Sequence, residues 1–208
     1  MKRYFIFALI FAAFTSFSFG QGMQLGLKAG VNFTNLVGDD IEGAESKTGF
    51  AGGLFFMYQF NKMFAIQPEA YYTMKGATDK ETLNGETIEG TLSFDYIEIP
   101  ILVKLLIPIE NSPIRPSVFA GPAVGFNTTA KGKVEYMGQS AEQDLENVAS
   151  TEFSLVFGAG LGFPVGNNEL GFDVRYLLGL TTLDDSADNA DIKNSVFNIN
   201  AYFGFSLL

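Results

Sequence analysis

The stretch Leu92–Phe126, LSFDYIEIPILVKLLIPIENSPIRPSVFAGPAVGF, decides the fold. From Ile97 onward one parity of its first arm is unbroken aliphatic: Ile97, Ile99, Ile101, Val103, Leu105 and Ile107. The other parity carries Tyr96, Glu98, Pro100, Leu102, Lys104 and Leu106. Successive side chains on a strand point to opposite faces, so one face is greasy along its whole length and the other is charged. The arm is also longer than the roughly five or six residues usual in globular strands. A strand that crosses a bilayer needs about 9–11 residues, apolar toward lipid and mixed or polar inward. The second arm repeats the pattern, with Val118, Ala120, Pro122, Val124 and Phe126 outward and Ser117, Phe119, Gly121, Ala123, Gly125 and Asn127 inward. The turn between them is Pro108–Pro113.

Working outward, the same alternation predicts six more strands. Met23–Thr34 sets Leu25, Leu27, Ala29, Val31 and Phe33 against Gly26, Lys28, Gly30 and Asn32. Lys47–Phe60 carries Phe50, Gly52, Leu54, Phe56, Tyr58 and Phe60 outward, and Asn61-Lys62 reads as a two-residue turn. Met63–Gly76 places Gln67, Glu69, Tyr71, Thr73 and Lys75 on one parity, with a bulge expected at Pro68. Thr151–Pro164 has Gly158, Gly160 and Gly162 on its inward side, which predicts a crowded or sharply curved wall. After the tight turn Val165–Asn168, Glu169–Thr181 opposes Leu170, Phe172, Val174 and Tyr176 to Gly171, Asp173 and Arg175. Ser195–Leu208 opposes Phe197, Ile199, Phe203 and Phe205 to Asn198, Asn200 and Tyr202.

Eight strands result, with connections alternating long and short. Four polar segments, Asn35–Ser46, Ala77–Gly90, Lys131–Ser150 and Thr182–Asn194, read as long loops, each holding four Asp or Glu. An even strand number with short turns at one end and long loops at the other is the pattern of outer-membrane barrels. The expectation is an all-β, eight-stranded antiparallel up-and-down transmembrane β-barrel over residues 21–208.

The leader supports export. Lys2 and Arg3 precede an apolar run from Tyr4 to Phe14, and Ser18-Phe19-Gly20 makes a small-x-small cleavage site, so residues 1–20 read as a cleaved signal peptide. Its loss would take the formal charge from −10 to −12.

A soluble eight-stranded barrel inverts this polarity, with an apolar interior and a wet outside. Eight strands' worth of Phe, Ile and Leu would overfill so narrow a barrel. With lipid outside, the lumen instead receives Glu69, Lys75, Glu98, Lys104, Asp173 and Arg175, with Arg115 near the periplasmic mouth. Lys28 is a further cation and Glu152, at a strand end, a fourth acid. Buried charges are tolerable when paired and hydrogen-bonded, so these residues predict a neutralised plug.

Composition excludes much. The 208 residues contain no Cys, no His and no Trp. Disulfides, zinc-thiolate sites, Ser-His triads and HExxH hydrolases are therefore absent. The net negative charge argues against nucleic acid as a partner. DDSADNAD (Asp184–Asp191) lacks the spacing, Gly and Glu of an EF-hand loop. No catalytic residue, cofactor or metal site is expected.

The segments KAGVNFTN (Lys28–Asn35), YIEIPILVK (Tyr96–Lys104) and PSVFAGPAVGF (Pro116–Phe126) resemble the outer-membrane β-barrel family grouped with PorT, abundant in Bacteroidetes. That resemblance implies an eight-stranded outer-membrane barrel. Its named member is tied to type IX secretion, a role no residue here marks. The chain departs from the usual barrel-insertion signal by ending in Leu208 rather than Phe.

The expected function is that of a non-enzymatic integral outer-membrane protein of a Gram-negative cell. Its lumen would be plugged, and its acidic extracellular loops would support membrane integrity or bind a partner. The expected partners are outer-membrane lipid, lipopolysaccharide and an extracellular or secretion-system protein, with the barrel itself monomeric. The alternative is a narrow porin-like pore or a transport or secretion accessory.

Overall fold

The computed structural model describes residues 22–38, 45–83, 86–185 and 191–207. The expected leader, Leu208 and half of the first acidic segment lie outside the described residues. Nine strands form: β1 (Met23–Val37), β2 (Glu45–Gln59), β3 (Phe64–Leu83), β4 (Glu86–Leu106), β5 (Arg115–Tyr136), β6 (Gln139–Asp144), β7 (Thr151–Val165), β8 (Asn168–Gly179) and β9 (Lys193–Ser206). All pairings are antiparallel. Eight strands close a ring in the order β1-β2-β3-β4-β5-β7-β8-β9, and β9 returns to β1 from Gln24↔Ser206 to Val37↔Lys193. The ninth strand, β6, pairs with β5 alone, outside the ring.

The expected meander of eight is therefore the barrel, and the surplus strand comes from a segment expected to be loop. The acidity of Lys131–Ser150 predicts a loop, but β5 runs on to Tyr136 and turns into β6 through Met137-Gly138. Both central residues have positive φ (51° and 77°), the pattern of a type I′ hairpin, whose twist matches the strands it joins. Ala77–Gly90 was likewise expected to be loop. Instead β3 and β4 stay paired from Ala77↔Leu92 to Leu83↔Glu86. Together these extensions raise a sheet of β3, β4, β5 and β6 beyond the barrel on its long-connection side.

Two smaller expectations also change. The β2–β3 connection has four residues, 60–63, rather than two. Asn61 Oδ1 caps it by accepting from the backbone N–H of Met63 (2.8 Å) and Phe64 (2.9 Å). Pro68 introduces no bulge, because the β3–β4 register runs unbroken from Pro68↔Ile101 to Tyr71↔Glu98. The irregularities lie elsewhere. One falls between Ser46 and Ala51 of β2, and another at Thr128, an extra residue between Asp95↔Thr129 and Tyr96↔Asn127. Thr128 Oγ1 donates to the Asp95 carbonyl at 3.1 Å.

Side-chain parity is as the alternation requires. Val103 is 58% exposed and Ile101 47%, whereas Leu102 between them is fully buried. Leu25, Leu27, Phe50, Leu54, Phe153, Phe172, Phe197 and Phe205 share the outward face. Inward, Phe119, Val156, Leu177 and Val196 pack round Leu102 on one wall, and Phe55, Met57, Ala65 and Tyr202 pack toward the short-turn end. The inward glycines make room for these rings. Phe55 lies across Gly26, Phe119 across Gly158 and Tyr202 across Gly171, each ring meeting its cross-strand partner. A Cβ on any of the three would fall 2.2–2.7 Å from ring carbons.

Candidate functional site: the charged lumen

The lumen charges assemble in three groups. In the central group, β1 supplies Lys28, β3 supplies Glu69, and β8 supplies Asp173 and Arg175, all from inward positions of their alternation. Lys28 Nζ donates to Glu69 Oε1 (3.0 Å) and Asp173 Oδ2 (2.7 Å). Arg175 Nη1 donates to Glu69 Oε2 (2.7 Å), and its Nε to Asp173 Oδ1 (3.2 Å). Two cations thus face two carboxylates. Gln67 adds a bond to Glu69 (2.6 Å) and Asn200 one to Asp173 (2.7 Å). Asn200 donates in turn to Asn198, Asn198 to Asn32 (2.7 Å), and Asn32 to Thr73 Oγ1 (2.8 Å). Charge-assisted bonds of this kind are what make ion burial tolerable in a low-dielectric interior.

The second group lies nearer the long-connection end. Lys75 Nζ donates to Glu98 Oε2 (2.7 Å) and Glu152 Oε2 (3.1 Å), over the face of Tyr96 at 4.9 Å from the ring centre. Asn194 Nδ2 also donates to Glu152 Oε2 (3.1 Å). A void of about 20 Å³, bordered by Tyr71, Lys75, Glu98, Arg175 and Asn198, separates this group from the central one. That is room for about one water molecule.

The third group sits at the short-turn mouth. Arg115 Nη1 donates to Glu169 Oε2 (3.3 Å), and Tyr202 Oη donates to Glu169 Oε1 (3.0 Å). Arg115 itself is solvent-facing, so this pair is part of the mouth rather than of the interior.

Of the nine residues singled out from the sequence, Lys28, Glu69, Asp173 and Arg175 meet in the central group. Lys75, Glu98 and Glu152 meet in the second, and Arg115 stands at the mouth. Lys104 departs from expectation. It is buried, yet makes no ion pair among the described residues, and its Nζ lies 5.3 Å from the centre of the Tyr202 ring. The sequence reading overlooked Glu169 as a lumen acid, although it shares the parity of Gly171 and Asp173 and could have been found from it.

Above the second group the lumen is roofed. Leu36, Ala77, Phe94, Tyr96 and Leu183 form a buried apolar layer, with Ala130, Leu145, Val148 and Ile192 packed against it. Ala130 reaches this layer because the Thr128 bulge reverses the parity of β5. Over the roof, the projecting sheet encloses a cleft of about 600 Å³, lined by Leu92, Gly132, Val134, Ala141 and Leu145 among others. At the opposite mouth a polar vestibule of about 640 Å³ reaches Gln24, Gln59 and Arg115.

No helix among the described residues is long and apolar enough to cross a membrane, a statement that leaves strands aside. A closed antiparallel ring with an apolar outside and a hydrogen-bonded charged inside defines the class: a membrane-spanning β-barrel. A profile of the outer membrane protein beta-barrel domain family matches residues 15–185, and the chain belongs to that family. Among solved structures it is similar to Ail, the attachment invasion locus protein of Yersinia pestis (20% identity, 89% of this chain and 100% of that one, TM-score 0.46). It is also similar to Neisserial surface protein A (13%, 87% and 97%, TM-score 0.48). A third likeness is to OprG from Pseudomonas aeruginosa (14%, 89% and 95%, TM-score 0.45). No curated protein matches the chain significantly.

Proposed function

We propose that this protein is a non-enzymatic outer-membrane barrel with a sealed lumen, which anchors the projecting β3–β6 sheet and its acidic rim at the cell surface for membrane integrity or partner binding. The observation that carries this reading is the stack of lumen groups beneath the apolar roof. A barrel of eight strands has an interior only wide enough for its own side chains, and here those side chains are held by ion pairs. The free side of β6, all six residues of which are exposed, adds backbone donors and acceptors beyond the membrane.

Residues 1–20 fit this role as a cleaved export leader. Lipid and lipopolysaccharide surround the apolar belt, and the partner at the rim is an extracellular or secretion-system protein. Kinship with the PorT-grouped barrels rests on the YIEIPILVK and PSVFAGPAVGF segments, and no secretion role follows from it. Planar-bilayer recording of the purified barrel tests the seal: the expected result is no stable conductance step, and a large stable one overturns it.

A narrow pore or transport accessory is the second reading, favoured by the polar vestibule that runs inward from Arg115 to Gln24 and Met57. It predicts that alanine at Glu98, Lys104, Asp173 and Arg175 raises permeability. Unchanged permeability in a folded variant removes its basis.

A further inference from the structure

The second lumen group is short of one positive charge. Lys75 alone serves both Glu98 and Glu152, in contrast to the two-for-two balance around Glu69 and Asp173. No other described cation makes up the difference. Lys47, the nearest along the sheet, passes over Gly76 to donate to Ser93 Oγ (2.7 Å), and Ser93 shares the outward parity of Ile97. Arg175 is committed to Glu69 and Asp173. Lys104 is unpaired but remote: it registers with Phe119, and Phe119 with Gly158, six residues along β7 from Glu152. At roughly 3.3 Å per residue that is on the order of 20 Å.

The same layer holds oxygen atoms with no hydrogen-bond partner among the described residues. They are Glu152 Oε1, Asn194 Oδ1, Ser154 Oγ and Tyr96 Oη, all on side chains at least nine-tenths buried. Register brings Glu152 Oε1, Ser154 and Asn194 to one level of the wall. Ser154 pairs with Gly179, whose backbone lies against Asn194 and whose missing side chain leaves room for Glu152 Oε1. Tyr96 walls the layer from the β4 side, and the apolar roof closes it above.

We propose that this layer is a binding site for one dehydrated monovalent metal cation, Na⁺ or K⁺, ligated by Glu152 Oε1 with the Asn194 amide oxygen and the Ser154 hydroxyl. One positive charge brings the layer to neutrality, and neutral oxygen donors beside a single carboxylate suit a hard monovalent ion. Among the described residues there is no group of three acids of the kind a divalent ion would call for. The roof and the groups beneath leave no open route, so the ion enters while the barrel closes and exchanges slowly afterward. This kinetic feature rests on the sealed-lumen reading; the site itself does not.

The test refolds the whole barrel into detergent in NaCl, KCl or choline chloride at equal ionic strength and follows thermal unfolding. The expected result is a melting temperature at least about 5 °C higher with a metal cation present during refolding than with choline. Glu152→Gln abolishes the difference, and Ser154→Ala, which keeps the charge, reduces it. Equal melting of the unsubstituted barrel in all three salts overturns the proposal and leaves water or a proton on Glu152 to neutralise the layer. Independently, crystals of barrel refolded with Tl⁺ should show anomalous density within bonding distance of Glu152 Oε1, and a layer without it overturns the proposal. A lumen that conducts would let salt added after folding give the full effect, so failure of the seal and failure of the site are distinguishable.

Discussion

Arg175 and Lys28 each bridge the same two carboxylates, Glu69 and Asp173. Removing one cation therefore strands a buried negative charge as well as erasing bonds. Stranding a buried charge costs about 3–5 kcal/mol, far more than the loss of a surface pair. Arg175→Met should lower the free energy of urea unfolding of the refolded barrel by about that amount. A loss below about 1 kcal/mol would mean that the central group is hydrated and screened. At Arg115 the guanidinium is solvent-facing, so Arg115→Met should change the same measurement much less. The glycines opposite Phe55, Phe119 and Tyr202 belong to this scale too. Their inward parity was legible in the sequence, but which ring would lie across which glycine was not, since that depends on the register between two strands.

At the scale of elements, β5 is the instructive strand. Its 22 residues begin at the short-turn mouth, cross the apolar belt and end beyond it. The acidic stretches after Thr129 and around Asp79–Glu89 read as loop because hydrophobic alternation stops there. What stops is the lipid, not the sheet: a ladder standing in water is free to be polar on both faces and loses its period-two signal.

Two predictions follow for the β5–β6 hairpin. Met137 holds φ 51°, a conformation that costs a non-glycine residue about 1 kcal/mol or more. Met137→Gly should therefore slow amide exchange across β6, and unchanged or faster exchange would argue against the turn. The second concerns pH. Lys131 donates to Glu142 Oε1 at 2.6 Å, and this bond, with the charge attraction behind it, holds the Glu142 carboxyl below its ordinary range. A depressed carboxylate contributes its small stabilisation above the ordinary carboxylate range and loses it as pH falls through the lowered value. Carboxyl NMR should show Glu142 titrating below the ordinary glutamate range, and Lys131→Met should return it there.

For the whole molecule, ring closure separates what must fold from what is displayed. Every barrel strand is paired on both sides, and β6 contributes nothing to the ring. Replacing residues 132–143 with a short turn should leave a barrel that still shows heat-modifiable migration on a gel. Failure to fold would place the projecting sheet in the folding core rather than on the surface.

The sequence by itself determined the strands of the barrel, their order and the side of each that meets hydrocarbon. Parity is a local property, written residue by residue by the pleat. Only the tertiary structure decided which charges meet, because the partners are far apart in the chain: Lys28 and Asp173 are 145 positions apart. It also decided that Lys104 goes without an ion-pair partner among the described residues, that an apolar layer lies over the second lumen group, and that two acidic segments are sheet. Each of these depends on strand stagger round a closed ring, a quantity that no single strand's alternation contains.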